Sequence, residues 1–305
     1  MTYATLIVQA EADEDSKARI GLAAGLAGQF GALLIGVAAR DLVAPVTAPL
    51  AGPIVVATLL AGQAEDIQKH LDAAEQQFRA VARKQDQLVA WRSSIDNPAK
   101  AFTREGRAAD LLVVGRQPES AGSRPSRHLD AGKVLMRAGR PVLIVPPSLS
   151  HLNAARIVVA WKDSREVRRA VADALPLLKR ATSVLVLEIC DTPGDQEDAK
   201  AVVHNVADYL SRHGVAATAE VRLLCEASDG RGEGGRRTRN QTHDPGDLLG
   251  RPRHGHDHRT RRCLREDPLN RRLLLGRRMS VCQRHCRQWI GQELQIVLGI
   301  EAVRH

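Results

Sequence analysis

The chain has 305 residues, 44% of them apolar but only 3% aromatic, with a formal net charge of +9. That length corresponds to about two ordinary domains, with enough Ala, Val, Leu and Ile for a sizeable core but no base-stacking surface for single-stranded nucleic acid in the main body. Residues 227–305 hold 17 Arg, no Lys, 5 Asp and 4 Glu, which leaves the first 226 residues at only +1, so the basic balance is no mark of a nucleic-acid-binding body.

The five Cys form no regular framework, and Cys190 and Cys225 lie in apolar runs, which fits a reduced, cytoplasmic compartment. The first ten residues lack a basic region and run straight into Glu11, against a signal peptide. Residues 42–64 are uncharged, but Pro45, Pro49, Gly52 and Pro53 read as a long loop and not as a membrane span.

In chain order, residues 4–10 form a buried-strand run and 15–30 a helix with Asp15 or Ser16 as N-cap. Residues 32–38 are a second strand. A helix over 64–83 follows, with Ile67, Leu71, Ala74, Phe78 and Val81 at spacings of three and four. Then come a strand at 88–94, a helix at 98–108 opened by Pro98, a strand at 110–114, a helix at 131–138 and a strand at 141–145. Strands that are apolar on both faces and alternate with helices imply a doubly wound α/β fold with a mostly parallel five-stranded sheet.

The order restarts after Pro147, with strands at 156–161, 183–190 and 217–224 and helices at 166–180 and 197–212. Leu6-Ile7-Val8 over Ile157-Val158-Val159, and Leu34-Ile35 over Leu185-Val186, each give an offset of 151. The simplest organisation is a duplication: domain one at 1–147, an incomplete domain two at 153–226 and an irregular Arg-rich tail at 227–305. Projected by the same offset, the strand at 111–115 would recur as Arg-Cys-Leu-Arg-Glu at 262–266, which cannot be a buried strand. Arg without Lys is what G+C-rich coding DNA gives when read out of frame, so the expectation is that a frameshifted ending replaced the rest of domain two.

Several segments in order resemble the universal stress protein family. Residues 156–178, Arg-Ile-Val-Val-Ala-Trp-Lys-Asp-Ser-Arg-Glu-Val-Arg-Arg-Ala-Val-Ala-Asp-Ala-Leu-Pro-Leu-Leu, look like its opening strand, acidic turn and first helix. Asp-Leu-Leu-Val-Val-Gly at 110–115, followed by Ala-Gly-Lys-Val-Leu-Met-Arg-Ala-Gly-Arg-Pro-Val-Leu-Ile-Val at 131–145, is similar to its closing section. The resemblance covers residues 1–226 as a tandem pair. It implies a fold related to adenine-nucleotide-binding α/β domains and a cytoplasmic stress-response or regulatory role. It also implies a homodimer, or an intramolecular pseudo-dimer, through the last strand of domain one.

In nucleotide-binding members of that family the ligand is ATP at the carboxyl ends of the strands, on a Gly-x2-Gly-x9-Gly-Ser/Thr pattern. Here Gly115 fills the first place, but Pro118 stands three residues on, and Gly132, which opens the next helix, is followed by Lys133. The resemblance therefore places Asp13, Gly115, Arg116, Gly132, Lys133 and Asp163 near a degenerate nucleotide site. Each has a plainer role open to it: Asp163 as a helix cap, Gly115 as a tight turn, Gly132 with Lys133 as an ordinary helix start. No paired acids, nucleophile signature or metal box occurs in residues 1–226, so the expectation is a non-catalytic module without a metal. ATP binding with slow hydrolysis is the alternative, and nucleic-acid binding through the tail is a third. His254, His256, His258, Cys263, Cys282, His285 and Cys286 form no closed four-ligand framework.

Overall fold

The computed structural model describes residues 2–43, 52–83, 88–116, 129–147, 149–190 and 192–223. The first half contains β1 (Thr5–Gln9), α1 (Glu14–Phe30), β2 (Leu33–Arg40), α2 (Pro53–Arg83), β3 (Val89–Ile95), α3 (Pro98–Glu105), β4 (Leu111–Gly115), α4 (Ala131–Ala138) and β5 (Val142–Val145). The second contains β6 (Arg156–Ala160), α5 (Arg165–Leu178), β7 (Ser183–Cys190), α6 (Gln196–Arg212) and β8 (Ala217–Leu223). The tail expected at 227–305, with its Cys and His residues, lies outside the described residues, as does the loop carrying Pro118.

The first sheet has the order β3-β2-β1-β4-β5 and the second β6-β7-β8, with every paired strand parallel. The architecture is the doubly wound α/β fold, five-stranded in the first copy and three-stranded in the described part of the second. Alternation along each strand feeds two cores. Leu6, Val8, Leu34, Leu111 and Val113 join the cluster that holds Ile20, Ala23 and Ala27 of α1. Ile7, Leu112 and Val114 pack with Ala99 and Phe102 of α3 and Val134 of α4. Gly36 of β2 permits a close approach, since a Cβ there would stand 2.8 Å from both Phe78 and Trp91.

Three expectations are corrected. The N-cap of α1 is Asp13, not Asp15 or Ser16: its Oδ1 accepts from the Ser16 N–H at 2.6 Å, and the Ser16 hydroxyl accepts from the Glu11 N–H at 2.7 Å. Helix α2 begins at Pro53 and not at 64, because proline suits a first turn and no breaker follows it before Gly62. The offset of 151 holds for β1 and β6, but β2 and β7 correspond at 150. Ile7 pairs with Ile35, while Val158 pairs with Leu185. A slip of one residue turns a strand's side chains to the opposite face. Accordingly Val184 shares Leu34's cluster, whereas Leu185 packs with Val158 and Leu187 on the other face.

One hydrophobic cluster runs continuously through both halves. The Tyr3 hydroxyl donates to the Asp173 carbonyl of α5 at 2.8 Å. Tyr3 meets Phe30 edge-on at 5.0 Å, and the Arg180 guanidinium lies 5.4 Å from the Phe30 ring centre. The two halves thus meet through β1's entry, α1 and α5. Among the described residues β5 pairs with β4 alone. No described helix is long and apolar enough to cross a membrane.

Candidate functional site

The strand order reverses between β1 and β4. Open α/β sheets leave a crevice at such a point, beyond the carboxyl ends of the strands, where connections depart to opposite faces. Gln9 ends β1 and Gly115 ends β4, and both bound this crevice.

The crevice is laced by the chain's own side chains. The Gly115 N–H donates to Gln9 Oε1 at 3.0 Å, and Gln9 Nε2 donates to Glu11 Oε1 at 2.7 Å. Arg19, one turn inside α1, is only 6% exposed, and its Nε donates to the Gln9 carbonyl at 2.9 Å. Its Nη1 lies where a Cβ on residue 115 would have to be. A side chain at 115 would therefore force the Arg19 guanidinium to shift. Burial pushes the Arg19 guanidinium below its ordinary pKa, while Glu11, Asp13 and Asp15 pull it back up. Gln77 of α2 ties down the turn by donating to the Glu11 and Asp13 carbonyls at 3.1 and 2.7 Å.

The six residues singled out in the sequence fall into three places. Asp13 and Gly115 reach the crevice, Asp13 as the cap of α1. Arg116 follows Gly115, with an exposed side chain and its N–H donating to the Val145 carbonyl at 2.8 Å. Gly132 and Lys133 open α4, but their N–H groups already donate to Asp130 Oδ1 at 2.9 and 3.2 Å, and Lys133 Nζ lies 3.6 Å from Asp130 Oδ2. The helix end that would attract a phosphate thus carries a carboxylate of its own. Asp163, beyond β6, accepts from Arg168 Nε and Nη2 at 2.8 and 2.7 Å, while Ser164 caps α5 by accepting from the Val167 N–H.

Gln9, Arg19 and Asp130 are functional candidates that sequence reasoning missed. A signal for Arg19 was present: it falls on the stripe Ser16, Arg19, Ala23, Leu26, whose members are all buried. Beside the crevice, Gln9, Glu11, Val37, Ala39, Phe102 and Leu129 line a cavity of about 10 Å³, room for roughly one water. No group of three metal-ligating side chains occurs among the described residues.

No family model matches the chain, and no curated protein matches it. Among solved structures it is similar to a universal stress protein in complex with cAMP, at 21% identity over 48% of this chain and 98% of that one, with a TM-score of 0.33. It is similar to a universal stress protein from Archaeoglobus fulgidus DSM 4304 at 13% identity, over 72% of this chain and 76% of that one, with a TM-score of 0.47. A universal stress protein from Archaeoglobus fulgidus in complex with dAMP is similar at 15% identity, over 47% of this chain and 98% of that one, with a TM-score of 0.31.

Proposed function

We propose that the chain is a tandem, cytoplasmic stress-response module of the universal stress protein type. It is non-catalytic, and its first nucleotide crevice is filled by its own side chains. Domains at 1–147 and 153–226 and a tail at 227–305 complete this reading, and the family resemblance directs a second copy to the open edge of β5. The observation that carries it is the Arg19 guanidinium seated against Gly115, with the Gly115 N–H bound to Gln9. A phosphate would have to displace a desolvated arginine and a strand-end hydrogen bond. It would find the first amides of α4 taken by Asp130 as well. In such a module, change of state comes through association with other proteins and not through turnover of a ligand.

A thermal melt of the full chain tests this. A ligand that binds only the native state at 100 times its Kd stabilises by about 2.7 kcal/mol, so a saturating rise in Tm with millimolar ATP would overturn the closed crevice. The expected result is an unchanged melt.

The second reading is an ATP-binding sensor, with Asp13, Gly115, Arg116, Gly132, Lys133 and Asp163 beside the nucleotide. What favours it is the position of Gly115 and Asp13 at the carboxyl ends of the strands. ATP-dependent stabilisation that Gly115→Ala abolishes would select it.

A further inference from the structure

Among the described residues the second sheet has two outer strands, β6 and β8, and only β8 has the burial of an outer strand. Strands β3 and β8 contain no fully buried residue and β5 contains one, and each lies at the edge of its sheet. Strand β6 pairs with β7 alone among the described residues, yet Ile157, Val158 and Val159 are all 0% exposed. So are Leu6, Ile7 and Val8 of β1, which has a neighbour on each side. The faces of the sheet repeat the contrast. Helices α5 and α6 both contribute to the cluster that holds Ile157 and Val159. On the other face Val158, Leu185 and Leu187 are at most 4% exposed, although their described cluster contains strand residues only. In the first sheet that face is covered by α3 and α4.

We infer that residues 296–300 of this chain add in cis along the second edge of β6 as its outer neighbour, with the chain around them lying over Val158, Leu185 and Leu187. Residues 224–305 continue directly from β8 of the same sheet, whereas the other longer stretches outside the described residues, 44–51 and 117–128, are tied at both ends to the first half. A strand buried on both faces needs an uninterrupted apolar run. Ile296-Val297-Leu298-Gly299-Ile300 is the longest after Leu223, and it matches the five residues of β6 and of β4. Its Ile and Val suit a strand. The next longest, Leu273-Leu274-Leu275-Gly276, is closed in by Arg272 and Arg277, and a five-residue strand there would bury one of them at a cost of kilocalories. The backbone of β6 is set for such an addition. The Ala155 carbonyl accepts from the Thr182 N–H at 2.7 Å and the Trp161 N–H donates to the Leu187 carbonyl at 2.8 Å, both on the β7 side, so by alternation Val158 and Ala160 turn their N–H and C=O to the other edge. Backbone groups among buried side chains need partners, and a segment of the same chain reaches them at an effective concentration of about millimolar, ahead of a second copy. The inference stands apart from the closed crevice of the first half.

Hydrogen exchange on the full chain, read at single amides, tests it. Val158 and Ala160 are expected to be protected, together with residues 297–300. Val297→Asp puts a carboxylate into the added strand and is expected to speed exchange at Val158 and Ala160 at least about tenfold, while Ile7 and Val8 of β1 keep their protection and report that the first half stays folded. Leu274→Asp is expected to change neither pair. Residues 297–300 exchanging at the free-peptide rate in the unaltered chain would overturn the inference whatever the variants do. So would protection of Val158 and Ala160 that Val297→Asp leaves intact, that Leu274→Asp removes, or that vanishes on dilution, which would assign the edge to a second copy.

Discussion

Nη1 of Arg19 occupies the space that a side chain on Gly115 would need, so the glycine that ends β4 serves a guanidinium of its own chain. The arginine is nearly fully buried and anchored to the Gln9 carbonyl, with three carboxylates acting on it from the turn between β1 and α1. Desolvating a charge is expensive unless it is held by hydrogen bonds and opposite charge. The crevice between β1 and β4 meets that demand from within.

Gly115→Ala is expected to destabilise the chain by about 1–3 kcal/mol through overpacking against Arg19. The same change made in an Arg19→Ala background is expected to cost less, because the colliding guanidinium is gone. Urea unfolding of the four proteins gives the coupling. Additive losses would show that the two residues do not contact.

Tyr3→Phe removes the hydrogen bond that ties β1's entry to α5, at an expected cost of about 0.5–1.5 kcal/mol. Burial, reinforced by Asp173 and Asp110, raises the Tyr3 pKa above its ordinary value. A raised folded pKa means that this stability is fully present below the unfolded value of about 10 and is lost as pH climbs towards the folded value. Urea midpoints are therefore expected to fall with alkalinity above that point in the wild type, and less steeply in Tyr3→Phe.

Asp130→Ala leaves the Gly132 and Lys133 amides without their acceptor and is expected to cost about 0.5–2 kcal/mol, the range for losing a helix cap. Asp130→Asn, which keeps the acceptor oxygen, is expected to retain most of that stability. Equal losses in thermal melts of the two variants would show that the cap is not what matters.

Asp163→Asn breaks an ion pair with Arg168 in which both side chains are more than half exposed. Such pairs contribute about 0–1 kcal/mol, so the expected change in a urea melt is small and shrinks further in high salt. A large loss would mean that Asp163 has a structural duty beyond that pair.

Much of the architecture is legible in the sequence where periodicity and punctuation agree. Helix α4, opened after Asp130 and closed at the left-handed Gly139, and strand β7, an apolar run, fall on the expected residues. Helix α2 misled because its prolines look like breakers, although the last of them, Pro53, is placed where a helix begins. The register of β7 slipped by one because Leu34-Ile35 and Leu185-Val186 are both apolar pairs, and only packing tells which face each residue takes. The candidate site was legible in place but not in content. Gly115 and Asp13 are marked by position along the chain, whereas the closure of the crevice depends on where the long Arg19 side chain ends, ten residues from Gln9 and 96 from Gly115.

The most direct test of the closed crevice is calorimetric titration of ATP into the full chain, with Arg19→Ala alongside and circular dichroism as a check that both are folded. The account predicts no saturable heat for the wild type. A one-site isotherm in the wild type that Arg19→Ala leaves unchanged would contradict it, because the nucleotide would then bind without displacing the arginine.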